Sequence, residues 1–370
     1  MRILAIETSC DETSAAVIED GQKILANVIT SSEKLQQRFG GIIPEQAARE
    51  QLKCILPVID EALTEAKVKL TDLDAIAATY GPGLIGSLII GLETAKTLSF
   101  AADIPLIPVN HLLGHIYANF LERLSCHSEP RCYTGIEESL PFFPAICLVV
   151  SGGHTDLLLM TADHYFKWLG GTRDDAAGEC FDKSARLLGL GYPGGPAIEK
   201  AVASCKQQVT RKQKLETCNL KLATLKLPRP MINDNNFDFS FSGLKTAVLS
   251  LVLSQNGVRH PGIPVGLQND IRNSIAYELQ EAITDVLVAK TLKAAEKYQA
   301  KSILVGGGVA ANKRLREKLK TQSVKLKTKL FIPDFSLCTD NAAVIAAAAF
   351  YQNHPADWRG LKPNPSLHFG

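Results

Sequence analysis

One pattern of short apolar runs and turns is written twice along this chain, and that duplication restricts the fold more than any other feature. In the first half Ile3 to Glu7 is apolar, Thr8 to Glu12 is a polar turn and Ser14 to Ile18 is apolar again. Glu19-Asp20-Gly21 then turns the chain into Ile24 to Ile29. In the second half Ala145 to Val150 reads as a buried strand, Ser151-Gly152-Gly153-His154 as the turn and Thr155 to Met160 as its partner. Ala162-Asp163-His164 leads into a third strand, Tyr165 to Leu169. Each half closes with a strand, a glycine turn and a helix. The first uses Ala75 to Thr79, Gly81-Pro82-Gly83 and a helix from about Leu84 to Ala101. The second uses Ser302 to Val305, Gly306-Gly307-Gly308 and a helix from about Asn312 to Leu319. Hairpins followed by strand–helix units imply an α/β chain of two lobes, each a mixed sheet covered by helices, with a cleft between them.

The length of 370 residues fits two packed lobes better than one core. With 46% hydrophobic and 21% charged residues the chain reads as globular, and no apolar stretch approaches the ~20 residues that span a bilayer. Met1-Arg2-Ile3-Leu4-Ala5-Ile6 enters a strand directly, leaving no room there for a signal peptide. The nine cysteines form no CxxC pair, which argues for reduced thiols and a cytoplasmic setting. A net charge of +2 announces no nucleic-acid partner by itself. A local excess does more: Lys206, Arg211, Lys212, Lys214, Lys221, Lys226 and Arg229 fall in one short stretch, either a solvated insertion or a contact for a phosphate backbone.

The strongest chemical signal is His111 and His115, spaced i,i+4 in Asn110-His111-Leu112-Leu113-Gly114-His115. On a helix both imidazoles share one face and can bind one metal ion; they can equally be packed or cap the helix. The metalloprotease version of this pair has a Glu after the first His to deprotonate metal-bound water, and here that position is Leu112. An ion that grips a substrate suits this sequence better than one that makes hydroxide. Gly81-Pro82-Gly83-Leu84-Ile85-Gly86 matches G-x-G-x-x-G, but it follows a late strand of its half, which argues against a dinucleotide site. There is no Walker A motif, no nucleophile elbow and no kinase catalytic loop.

The duplicated pattern resembles the actin-like ATPase (ASKHA) class, in which ribonuclease H-like lobes carry turns that bring backbone amides to phosphates. More specific runs resemble one family, the bacterial-type tRNA N6-adenosine threonylcarbamoyltransferases (TsaD). They are Ile6-Glu7-Thr8-Ser9-Cys10-Asp11-Glu12-Thr13, Gly40-Gly41-Ile42-Ile43-Pro44-Glu45, Gly81-Pro82-Gly83-Leu84, the His pair and Val150-Ser151-Gly152-Gly153-His154-Thr155. Further on come Asp174 to Glu179 with Phe181-Asp182-Lys183, and Tyr192-Pro193-Gly194-Gly195-Pro196. The last are Phe239 to Thr246, Gly306 to Asn312 and Cys338 to Ala343. Together they run from end to end of the chain.

The resemblance implies transfer of a threonylcarbamoyl group from threonylcarbamoyl-AMP to N6 of adenosine 37 in tRNAs reading ANN codons, with release of AMP. It implies His111, His115 and Asp340 as ligands of one divalent metal, Fe2+ favoured and Zn2+ possible. Val149, Val150, Ser151, Gly152 and Gly153 would wrap the adenylate phosphate and acyl part. Asp182, Gly195 and Asn312 would hold its sugar and base. By its place in the polar turn after the first strand, Asp11 is the candidate acceptor of the amino proton, or equally a brace for the hairpin or an orienter of a metal-bound water. Implied partners are tRNA, a smaller TsaB-like paralogue and a TsaE-like P-loop ATPase, with no membrane.

The lobes are expected at 1–120 with about 336–370, and at 121–335, the second carrying insertions near 122–143 and 204–236. The helix Leu84 to Ala101 is a candidate dimerising surface or plain core. Duller readings stand beside these. Asp340 suits the N-cap of the last helix, Asp182 an ordinary helix surface from Asp175 to Leu188, and Gly194-Gly195 a tight turn. Two rival functions also stand: a metal-dependent glycoprotease and a non-catalytic actin-like ATPase or scaffold. Charge reversal at Arg211, Lys212 and Lys214 is expected to weaken tRNA binding, measured as affinity across a salt series; unchanged affinity would refute the phosphate contact.

Overall fold

The structure is a computed structural model that describes residues 1–32, 42–122, 140–162, 164–211, 225–256 and 268–369. Most of the two expected insertions, including Cys126, Cys132, Lys212, Lys214 and Lys221, lies outside the described residues, as do the side chains of Lys206 and Arg211.

The strands are β1 (Arg2–Glu7), β2 (Glu12–Glu19), β3 (Lys23–Ser31), β4 (Ala75–Gly81) and β5 (Leu106–Asn110) in the first half. In the second they are β6 (Ala145–Val150), β7 (Thr155–Met160), β8 (Phe166–Gly171), β9 (Ser302–Gly306) and β10 (Lys329–Phe331). The first sheet has the order β3-β2-β1-β4-β5 and the second, from the corresponding edge, β8-β7-β6-β9-β10. In both, the first three strands pair antiparallel and the last two join in parallel. The duplication read from the sequence is thus a repeat of topology: two mixed ribonuclease H-like sheets flanked by helices, the actin-like arrangement. The third strand of each hairpin set came out of the sequence within a residue or two; β10, only three residues long, carried no legible alternation.

Ten α-helices lie among the described residues: α1 (Pro44–Ala66), α2 (Ile85–Ala102), α3 (His111–Tyr117), α4 (Ala177–Leu187) and α5 (Gly194–Arg211) come first. They are followed by α6 (Ser242–Asn256), α7 (Asn269–Lys297), α8 (Lys313–Leu326), the single turn α9 (Phe335–Cys338) and α10 (Ala342–Gln352). Alternation along the strands sorts the chain into layers. Leu4 and Ile6 of β1 face α1 and α2, while Ile3 and Ala5 face inward. Ala145, Cys147 and Val149 of β6 also face inward, whereas Ile146, Leu148 and Val150 meet the helices α4 to α8 on the far side. Between the sheets lie α3 and α10. Every residue of α10 from Ala342 to Ala349 is buried, as expected of a helix that is apolar all round.

The 18-residue α2 is long and apolar enough by composition to cross a membrane, which corrects the reading that no such stretch exists. Here it packs Leu88, Leu92 and Ala95 into the first lobe. The segment after α10 runs back over the first sheet, with Ala356 bridged to Leu106, the Asn364 amide donating to the Tyr80 carbonyl and the Gly83 amide donating to the Pro365 carbonyl. It then reaches the second lobe, where His368 Nε2 lies 3.4 Å from Asp156 Oδ1.

Two local readings change. The helix expected from Asp175 starts at Ala177, because the Asp174 carboxylate accepts from the Phe241 and Ser242 amides and from the Ser240 and Ser242 hydroxyls, which holds it in the preceding loop. Arg229, counted in the basic stretch, is paired with Glu278 and Asp285 of α7 and so is engaged within the fold. Because α10 fills the space between two sheets with alanine methyls, Ala346→Leu should overpack it. A loss of roughly 1–3 kcal/mol is expected, read as a lower midpoint in thermal and urea unfolding.

Candidate metal and substrate site

The site begins where β5 ends. The Asn110 side chain caps α3 by accepting from the Leu112 amide, so the helix starts at His111 and sets His111 and His115 on one face. Their rings meet edge to face, with centroids 4.6 Å apart. Asp340 arrives from the loop before α10. The cap of that helix falls to Asn341, which accepts from the Val344 amide, and the Ala342 amide donates to Ser14 Oγ on β2. The alternative in which Asp340 is the cap is therefore not what the fold adopts, and its carboxylate turns to the imidazoles. Asp340 Oδ1 lies 3.5 Å from His111 Nε2 and 3.4 Å from His115 Nε2. The three ligand atoms lie within 4.8 Å of one another, a group able to hold one metal ion.

Two glycines make this convergence possible. Gly114 lies between the histidines, and a Cβ there would come 2.7 Å from Ile345 Cδ1 of α10. Gly306, at the end of β9, would meet the His115 carbonyl oxygen at 2.1 Å. The first clash is with a side-chain tip that can move; the second is with backbone that cannot. The glycine turns expected to cradle phosphates thus first let chains touch. Gly83, at φ +157°, presses on the Ser9 backbone, and Gly307, at φ +94°, on the Val150 carbonyl.

Sequence reasoning left Glu7 without a role. It is buried at the end of β1, where the Ser9 amide and the Thr79 hydroxyl donate to it and His111 Nδ1 lies 3.1 Å from its Oε2. That contact places the proton on Nδ1 and leaves Nε2 facing Asp340. Burial alone would raise the Glu7 carboxyl, but His111 and the two donors hold it below the usual carboxylate range. Burial would lower His111, yet Asp340 and Glu7 raise it. Burial and then the His111 charge push His115 well below its ordinary value. Neither His115 nitrogen makes a hydrogen bond among the described residues, although its ring is buried. A neutral buried imidazole with orphaned nitrogens, beside a second imidazole and a carboxylate, fits a divalent metal.

The turn carrying Asp11 is held rigidly. Gln51 of α1 donates to the Cys10 and Glu12 carbonyls, Ser87 Oγ donates to the Cys10 carbonyl and the Leu84 amide to the Ser9 carbonyl. Burial, and then Glu7 and Asp11 against the pull of His111, raise the Asp340 carboxyl. Burial, then Asp340 and Asp11, raise the neighbouring Glu12 carboxyl, favouring its protonated form.

In the second lobe Val149 and Val150 are fully buried on opposite faces of β6. Ser151 closes the following turn, its amide donating to the His154 carbonyl and its hydroxyl accepting from the His154 amide. Gly152 and Gly153 are exposed with open space around them. The start of α4 meets this turn, since the Gly178 amide donates to the Ser151 carbonyl. Burial, and then the His111 and His368 charges, depress His154 to about 4, and Gly306 and Gly307 join His115 to Val150 at the start of this turn. Asp182 accepts from the Gly194 amide and so fixes the start of α5, where Gly195 faces open space. Asn312 is buried, capping α8 at the Leu315 amide and donating to Gln280 Oε1. The fold therefore gathers His111, His115 and Asp340 in one place, with Ser9, two residues before Asp11, 3.2 Å from His111 Nδ1, and with Gly306 and Gly307 joining His115 to Val150 at the start of the Ser151–Gly153 turn. Asp182 and Asn312 make hydrogen bonds inside the second lobe.

Fold and site together define a two-lobed actin-like α/β protein with a histidine–aspartate cluster between its lobes. The family model of the tRNA N6-adenosine threonylcarbamoyltransferases matches residues 23–347. A tRNA N6-adenosine threonylcarbamoyltransferase of Syntrophomonas wolfei is 47% identical over 99% of this chain and 97% of its own length. One from Dehalococcoides mccartyi is 48% identical over 95% of this chain and 94% of its own. Among solved structures, the (R)-2-hydroxyglutaryl-CoA dehydratase component A of Acidaminococcus fermentans matches with a TM-score of 0.49 and 15% identity, over 95% of this chain and 98% of that one. This chain belongs to the tRNA N6-adenosine threonylcarbamoyltransferase family, and it is a transferase that modifies tRNA.

Glu7→Gln should keep the fold and lower metal affinity roughly 10–100-fold by loosening His111. Gly306→Ala should displace the His115 helix and lose the ion altogether. Metal content after equilibrium dialysis measures both, and unchanged affinity in Glu7→Gln would remove its positioning role.

Proposed function

We propose that this protein transfers the threonylcarbamoyl group from threonylcarbamoyl-AMP to N6 of adenosine 37 in tRNAs reading ANN codons, and releases AMP. The observation that carries this reading is the convergence of His111, His115 and Asp340, with Ser9, two residues before Asp11, against His111 and with Gly306 and Gly307 joining His115 to the end of β6. The donor is a mixed anhydride whose carbamoyl carbon is already activated, so positioning and charge stabilisation matter more than a strong base. The amino nitrogen attacks that carbon, its bond to the phosphate oxygen breaks and AMP leaves. Asp11 accepts the proton from the amino group. The exposed Gly152 and Gly153 amides face the developing oxyanion, and Val149 to Ser151 carry that turn on a rigid strand. Asp182, Gly195 and Asn312 form the wall for the adenylate's sugar and base. His111, His115 and Asp340 hold one divalent ion, Fe2+ in preference to Zn2+, given two imidazoles, one carboxylate and open positions. When bound, that ion supplies Lewis acidity to oxygens of the donor.

The protein acts in the cytoplasm with a smaller TsaB-like paralogue and a TsaE-like P-loop ATPase. The exposed Leu52 and Leu56 of α1 with Ile85 and Ile89 of α2 offer an apolar surface for the paralogue. Leu112 in place of the protease glutamate argues against the glycoprotease reading.

In a reconstituted assay with tRNA and threonylcarbamoyl-AMP, His111→Ala and Asp340→Ala should each lose bound metal and most of the transfer. Asp11→Ala should keep the metal and lose roughly 100-fold in rate. Full activity in Asp11→Ala would end its assignment as base. Metal-dependent cleavage of a glycoprotein by protein unable to modify tRNA would overturn the whole reading.

A further inference from the structure

We propose that Trp168, backed by His368, is a stacking platform for an unpaired base of the RNA substrate next to the adenosine being modified. Trp168 lies on β8, the edge strand of the second sheet, opposite Leu158 in the register. Leu158 belongs to the inward face, so the indole stands on the side of the sheet that looks toward the first lobe. The register shifts between Leu157 and Leu158, and a bulge at an edge strand re-aims a side chain in this way.

The indole is 45% exposed but not loose: its Nε1 donates to Asp156 Oδ1 at 2.9 Å. His368 packs edge-on against it with ring centroids 5.9 Å apart and reaches the same carboxylate oxygen. Asp156 is itself buried, directly after Thr155 and two residues beyond His154. Asp156 pairs with Val149 across the sheet, and Val150, next along that strand, meets Gly307, whose neighbour Gly306 lies against His115, so the platform stands one strand from the metal site. An exposed, edge-anchored ring at the rim of a site that acts on a nucleobase meets the requirement for RNA loops, whose splayed bases stack on aromatic side chains. A pinned indole also loses little side-chain entropy when a base lands on it.

This inference rests on the RNA reading of the site, and the test separates the two. The chain has two tryptophans, and Trp358 sits in the first lobe against Phe100. Trp358→Phe in the full-length, metal-loaded protein leaves Trp168 as the sole indole reporter. Titration with an anticodon stem-loop RNA carrying the target adenosine should quench its fluorescence at saturation. Trp168→Leu should raise the KM for that RNA roughly tenfold with the KM for threonylcarbamoyl-AMP unchanged, and Trp168→Phe should recover most of the loss. Unchanged fluorescence with an RNA that the same protein modifies would overturn the platform alone, as would an unaltered KM in Trp168→Leu. Failure of the wild-type protein to bind or modify the RNA would overturn both readings.

Discussion

The close contact of α3 with α10 is the constraint on which the site depends. Two imidazoles and a carboxylate far apart in sequence meet because Gly114 leaves room for Val344 and Ile345 of α10 between helices buried from both sides. A larger residue at either surface would leave the sheets intact and spoil the ligand geometry. Packing at this depth is dense enough that such a change is felt throughout.

Electrostatics then settle what the geometry offers. Glu7 sits behind His111 and Asp340 in front of it, so one imidazole spans two carboxylates while its neighbour His115 stays neutral. That division of charge is costly to bury without a cation to satisfy the inward-facing atoms. Asp11 stands in the turn after β1, next to a Glu12 that burial, Asp340 and Asp11 hold in its protonated form. The first-lobe wall thus offers two imidazoles and a carboxylate to a metal cation, while the exposed Gly152 and Gly153 of the second lobe offer backbone amides to phosphate oxygens.

Much of this was legible in the sequence, because strands buried on both faces and turns of fixed polarity leave a pattern that needs no tertiary knowledge. The duplicated pattern of hairpins and strand–helix units and the i,i+4 histidines followed directly. Asp340 could be joined to them only through resemblance, since its neighbour Asn341 looks equally fit to cap a helix and the fold alone decides between them. Glu7 read as one polar residue ending an apolar strand; its function appears only when β5 and α3 bring His111 over it. Gly306 looked like a phosphate turn, and its use against the His115 carbonyl is a contact between parts nearly two hundred residues apart. Arg229 went the other way, a surface charge by composition that folding commits to α7.

The segment that crosses from the first sheet to the second sets a limit on motion between the lobes. Pro365 is bonded to Gly83 on one side and His368 to Asp156 on the other, with two residues between them. Three peptide units at full stretch reach roughly 11 Å. Hinge opening at this margin therefore ends at that span, or begins with release of the His368 anchor, which would swing the ring away from Trp168 at the same moment.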